Sequence, residues 1–109
     1  MALPGQPVRG SGTGRPIMAA LDLLGRRWTL RILWELRADP AGFRALQARC
    51  DAMSSSVLRQ RLTELADNRI VQYTSDGRYE LTPLGRELGD AIWPLNQWAQ
   101  RWASSLPQQ

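Results

Sequence analysis

Four side chains that hydrogen-bond to other polar groups, Ser56, Arg59, Gln60 and Thr63, recur at helical spacing in the stretch from Ser54 to Asn68. At about 100° per residue they share one face, opposite a stripe of Leu58, Leu62 and Leu65. An arginine can grip guanine bidentately and a glutamine can read adenine, so this face carries the chemistry needed to read base edges in a major groove. Arg59 and Gln60 are the leading candidates for bases, with Ser56 and Thr63 beside them. Ser54 is a good N-cap, and Ser54 and Ser55 offer a helix N-terminus and hydroxyls to a phosphate. The plain alternative is a solvated helix face.

The residue types that are missing narrow the field further. All 14 basic residues are arginine, there is no histidine, and there is one cysteine among 109 residues. Without histidine there is no Ser-His-Asp or Cys-His pair and no His-based zinc site. Without lysine there is no Schiff base and no P-loop lysine. One thiol builds neither a Cys-only metal site nor an intrachain disulfide. The 10 acids show no clustering. These absences argue against an enzyme and imply no metal and no cofactor.

A net charge of +4 and a pI near 10.5 are compatible with a polyanionic partner. With 12 arginines against 8 acids over residues 1–81 and two of each over 82–109, the excess lies ahead of the last helix. Arg27, Arg44 and Arg78 are candidate phosphate contacts. Arg61, nearer the buried stripe, suits a salt bridge or a phosphate. No apolar run approaches a membrane span and no signal-peptide pattern is present, so a cytoplasmic protein is expected.

Elements must position these groups. Residues 1–15, with four of the nine glycines, read as a flexible tail, and residues 16–109 as one domain. Helices are predicted from Pro16 to Leu24, from about Arg27 to Ala38 and from about Gly42 to Arg49, ahead of the Ser54–Asn68 helix. Ile70–Thr74 and Arg78–Thr82, joined across Asp76-Gly77, read as a hairpin. Thr82-Pro83 then opens a long last helix that Pro94 should kink or interrupt. A polar-faced helix followed at once by a hairpin is the layout of a winged helix-turn-helix, mainly α with a small β-hairpin. The wing would span Ile70–Thr82.

At these residues the chain resembles the HxlR-type winged helix-turn-helix regulators of bacteria, from about Pro16 to Trp102. Ala20-Leu21-Asp22-Leu23-Leu24-Gly25 with Arg27-Trp28-Thr29-Leu30, Phe43-Arg44-Ala45-Leu46-Gln47, Met53-Ser54 with Gln60-Arg61-Leu62, and Leu81-Thr82-Pro83-Leu84-Gly85-Arg86 carry the resemblance. It implies a homodimeric regulator, expected to be a repressor, bound to a palindromic operator in double-stranded DNA. Arg15 stands where the family commonly has a cysteine, so thiol sensing known for some members does not transfer; Arg27 replaces the family's lysine with its charge preserved, and the hairpin is shorter than usual.

Ile17, Leu21 and Leu24 of the first helix, with Leu88, Ile92, Leu95, Trp98 and Trp102, exceed what so small a core buries. They are read as an isologous dimer interface dimerising through the first and last helices. The rival reading of this aromatic face is a pocket for a small apolar or aromatic effector at the dimer interface. Cys50 is read as a core filler, with redox sensing as the alternative. The competing function is a winged helix kept as a protein-interaction module without sequence-specific DNA binding.

Overall fold

The computed structural model describes residues 14–107; the predicted tail over residues 1–15 falls almost wholly outside them. Eight elements follow in order: α1 Pro16–Leu24, α2 Thr29–Leu36, α3 Phe43–Arg49, α4 Ser55–Asp67, β1 Val71–Tyr73, β2 Tyr79–Leu81, α5 Pro83–Ile92 and α6 Leu95–Ser105. Pro16 opens α1, where its missing N–H is no loss, and the Gly25 N–H closes the helix on the Leu21 carbonyl at 2.9 Å.

The helix expected from Arg27 begins two residues later. Trp28 lies in the left-handed region at φ 78°, and its carbonyl accepts the first α2 bond, from Ile32 N–H at 2.9 Å. A left-handed non-glycine residue costs roughly 1–2 kcal/mol. Packing of the half-buried indole against the core offsets that cost.

Ile32, Leu33 and Leu36 of α2, Leu46 of α3 and Leu58, Leu62 and Leu65 of α4 form the buried centre, closed by Ile70, Val71 and Leu81 of the hairpin. Each such side chain contributes roughly 1.5–3 kcal/mol on burial. Cys50 lies within this cluster at 0 % exposure. That burial favours the core-filler reading over redox sensing, because an activated thiolate needs a partly exposed, electropositive setting. Burial pushes the Cys50 thiol up, and the opposing influence of the Arg31 guanidinium is smaller.

In the hairpin, Val71 pairs with Leu81 and Tyr73 with Tyr79. Gly77 takes φ 86°, and its N–H donates to the Thr74 carbonyl at 3.1 Å, as the Asp-Gly turn requires. Ala41 adds a bridge on the other side of β2, exchanging bonds of 2.9 and 2.7 Å with Tyr79. Periodicity carried no signal for this single residue. Pro94 interrupts the last helix outright, leaving α5 and α6 as separate rods.

Thr82 ties α5 to the end of α4. Its hydroxyl donates to the Arg69 carbonyl at 2.6 Å and accepts the Gly85 N–H at 2.9 Å. Gly85 is there because nothing larger fits: a Cβ would lie 2.1 Å from the Ile70 carbonyl oxygen. Gly85→Ala is therefore expected to destabilise the protein by about 3 kcal/mol or more, read from the denaturation midpoint. Cys50 should resist thiol reagents in the native protein and react on unfolding. Because its folded pKa is raised, stability is retained below the unfolded thiol value of about 8.5 and declines as pH rises beyond it. Ser in its place should abolish that part of the alkaline decline.

Candidate nucleic-acid interface

The α4 helix begins where Ser54 Oγ accepts the Val57 N–H at 3.4 Å, and Asn68 forms its C-cap. Leu58, Leu62 and Leu65 are enclosed, so the opposite face must look outward. Ser55, Ser56, Arg59, Gln60 and Thr63 are all exposed and line one open groove of about 690 Å³ with Arg26, Glu64 and Asp67. The Arg59 guanidinium stands 4.6 Å over the ring of Phe43, which holds it against α3 while leaving its N–H groups outward. Thr63 donates its hydroxyl proton to the Arg59 carbonyl at 2.9 Å, which leaves it acceptor lone pairs only. Ser54 Oγ and Ser56 Oγ lie 3.0 Å apart.

The inner edge of α4 is clamped by charge. Glu64, 7 % exposed, receives Arg26 at 2.9 Å and Arg61 at 3.0 Å. Arg26 also pairs with Asp22 at 3.2 Å, and that hydrogen bond chiefly holds its guanidinium above its ordinary pKa. Arg61 Nε donates to the Arg27 carbonyl at 2.9 Å. Arg61, considered for a phosphate, is thus turned inward onto Glu64 and the α1–α2 connection. Neither Arg26 nor Glu64 stood out in the sequence. The available signal was an acid three residues after an arginine on the shoulder of a buried stripe.

The connection from α3 to α4 is equally specific. Asp51 and Ala52 both hold left-handed backbone, at φ 58° and 55°. Arg31 of α2 secures them, reaching the Asp51 carboxylate at 3.0 Å and the Arg49 carbonyl at 2.6 Å, while its Nε donates to Glu35 at 2.8 Å. Gln47 Nε2 donates to the Met53 carbonyl at 2.8 Å across the same turn.

Among the described residues, Arg27, Arg44 and Arg59 form no ion pair with a carboxylate, so their guanidinium charges stay unneutralised. Arg78, at the hairpin tip, pairs with exposed Asp76 at 2.9 Å. A hydrogen bond from Thr74 and then one from Arg78 hold the Asp76 carboxyl below the usual range. Of the apolar candidates, Ile17, Leu21, Leu95, Trp98 and Trp102 are exposed, whereas Leu24, Leu88 and Ile92 pack partly against the core. Leu84, read from the sequence as part of a motif but not of the interface, is exposed, as is Leu106. Trp98 and Trp102 stack at 5.4 Å with their planes 13° apart. Among the described residues no carboxylate or thiol cluster could hold a metal, and no helix is long and apolar enough to cross a membrane.

Comparison with known proteins agrees with this geometry. The model of the HxlR-like helix-turn-helix family matches residues 23–107. An uncharacterised helix-turn-helix-type transcriptional regulator of Methanocaldococcus jannaschii is 29 % identical over 90 residues, covering 78 % of this chain and 83 % of that one. The quinone-bound YodB of Bacillus subtilis superposes with a TM-score of 0.67 at 31 % identity, over 83 % of this chain and 97 % of that one. A possible HxlR family transcription factor from Thermoplasma volcanium shares the fold at a TM-score of 0.72 and 22 % identity, over 92 % of this chain and 95 % of that one. With α2 to α6, the hairpin and arginine-bearing α4 among them, in one matched span, the chain belongs to the HxlR family of winged helix-turn-helix transcriptional regulators, and is not an enzyme.

Proposed function

We propose that this regulator acts in the cytoplasm as a homodimer on a palindromic operator and represses by occluding a promoter. The observation that carries the DNA half is the exposed α4 face, where Arg59 is steadied by Phe43 and has no acid partner. In this reading Arg59 and Gln60 meet base edges, flanked by Ser56 and Thr63. Ser54, Ser55, Arg27 and Arg44 meet phosphates, and Arg78 meets the backbone from the hairpin. Arg61 orients α4 with Nε on the Arg27 carbonyl and Nη1 on Glu64, and its remaining donors are the ones left to meet a phosphate.

The dimer half rests on α6. This helix has 11 residues, none buried, and leaves Trp98 and Trp102 at 49 % and 53 % exposure. A helix shorter than about 12–15 residues is marginal in water without tertiary packing. A second copy, covering Ile17, Leu21, Leu95, Trp98 and Trp102 by two-fold symmetry, supplies that packing. Leu24, Leu88 and Ile92 would back this surface from the core side. Two α4 helices would then stand about one DNA turn, roughly 34 Å, apart. A small apolar or aromatic effector at this interface is part of the proposal; the quinone bound to YodB is a property of that protein.

Random-site selection followed by fluorescence anisotropy tests the DNA half. An enriched palindrome is expected, bound with an affinity that falls about a thousandfold or more between roughly 50 and 200 mM salt. Arg59→Ala should reduce discrimination at one base position by about tenfold, and Arg44→Ala should weaken all sites alike. No enriched site, or binding indifferent to salt, would leave a protein-interaction module as the better reading. Trp98→Glu should convert the dimer to a monomer in sedimentation equilibrium and lower operator affinity by at least about a hundredfold. A variant that stays dimeric would place the interface elsewhere.

A further inference from the structure

The ring of Phe43 does more than fill space at the edge of the core. Phe43 is the first residue of α3, half-buried and packed against the core. It also carries the Arg59 guanidinium 4.6 Å over its ring. The backbone on both sides of this contact is fixed. Ala41, two residues before Phe43, exchanges bonds of 2.9 and 2.7 Å with Tyr79 of the hairpin, and Leu46, one turn on, is sealed in the core. On α4, Leu58 and Leu62 lie either side of Arg59 in sequence and are buried. What remains free to move is the long Arg59 side chain.

The kind of restraint matters as much as its presence. Arg26 and Arg61 are held by the Glu64 carboxylate, which takes up N–H donors and offsets their charge. Arg59 has no carboxylate partner among the described residues. An aromatic face attracts a cation through its quadrupole and needs no N–H donor from it. Phe43 therefore limits where the guanidinium sits while its charge and planar fork stay available for a bidentate grip on a base. A side chain held before binding also loses less freedom on binding. Phe43→Leu would keep the apolar contact and lose the face.

We propose that Phe43 is a positioning residue for operator recognition: its ring sets how sharply Arg59 discriminates among bases. The inference rests on the reading of Arg59 as a base contact. Loss of the ring harms discrimination more than affinity. A mobile guanidinium still meets the negative charge of the duplex, but it no longer favours one base geometry. The start of α3 then serves two ends. Phe43 steadies the base-reading arginine, and exposed Arg44 beside it offers its charge to a phosphate.

Fluorescence anisotropy on the selected operator and its single-base variants tests this, at the position where Arg59→Ala loses preference. Phe43→Leu, with Phe43→Met as a second apolar replacement, should lower discrimination there by about two- to fivefold. Preference at other positions and the salt dependence should stay unchanged. In the Arg59→Ala background Phe43→Leu should add nothing, a non-additivity that a general packing defect does not produce. Phe43→Tyr and Phe43→Trp, which keep an aromatic face, should retain wild-type discrimination. In the nuclear magnetic resonance spectrum of the full-length, DNA-free protein, the ring current should displace the Arg59 δ-methylene protons upfield, and Phe43→Leu should remove that displacement. Uniform weakening of every site, an equal effect with and without Arg59, or loss in both ring-bearing variants overturns the proposal. So does an Arg59 resonance that the ring does not displace. If Arg59→Ala alters no base preference, the reading of Arg59 fails and the proposal with it. If Arg59→Ala alters one and Phe43→Leu does not, the proposal alone fails.

Discussion

The carboxylate of Glu64 sits almost without solvent between Arg26 and Arg61, and the placement of α4 depends on it. A buried carboxylate stripped of its partners costs several kcal/mol, so α4 settles where both guanidinium groups reach it. Arg26 brings Asp22 and the end of α1 into the network, and Arg61 brings the Arg27 carbonyl. The α1–α2 connection and the helix that faces outward are thereby locked together. Leucines on the inner stripe fix which way α4 faces, while this ionic clamp fixes its rotation and depth. Apolar packing alone tolerates small slides; paired, directional hydrogen bonds do not.

The arginines consequently divide into two populations. Arg26, Arg31 and Arg61 work inside the protein, each with a carboxylate and, for two of them, a backbone carbonyl. Arg27, Arg44 and Arg59 keep their charge outward. A chain without lysine uses one side-chain type for both tasks, and the guanidinium suits both because its planar fork satisfies several acceptors at once.

Much of the fold was legible in residue order. Pro16 and Gly25 bracket α1, Ser54 and Asn68 cap α4, and Asp76-Gly77 turns the hairpin. These are short-range signals: capping, periodicity and turn chemistry act within a few residues. Pro94 was expected to disturb the last helix, and it separates α5 from α6. What periodicity missed has one origin. Trp28 leaves the helical region because its indole packs on the core, and Ala41 is extended because β2 passes beside it. Both conformations are set by neighbours distant in sequence.

The candidate site divides along the same line. The sequence by itself determined that α4 carries Ser56, Arg59, Gln60 and Thr63 on one face, since helical geometry follows from spacing. It also determined that histidine and lysine chemistry is absent. Only the tertiary structure decided which arginines are free to meet a partner. Arg26 finds Glu64 across 38 residues and Arg61 finds the Arg27 carbonyl across 34. It also decided that Arg59 rests on Phe43, that Cys50 is sealed in the core and that Arg31 holds the α3–α4 turn. Pairing and burial depend on distance in space, and that distance exists only once the hydrophobic core has brought remote segments together.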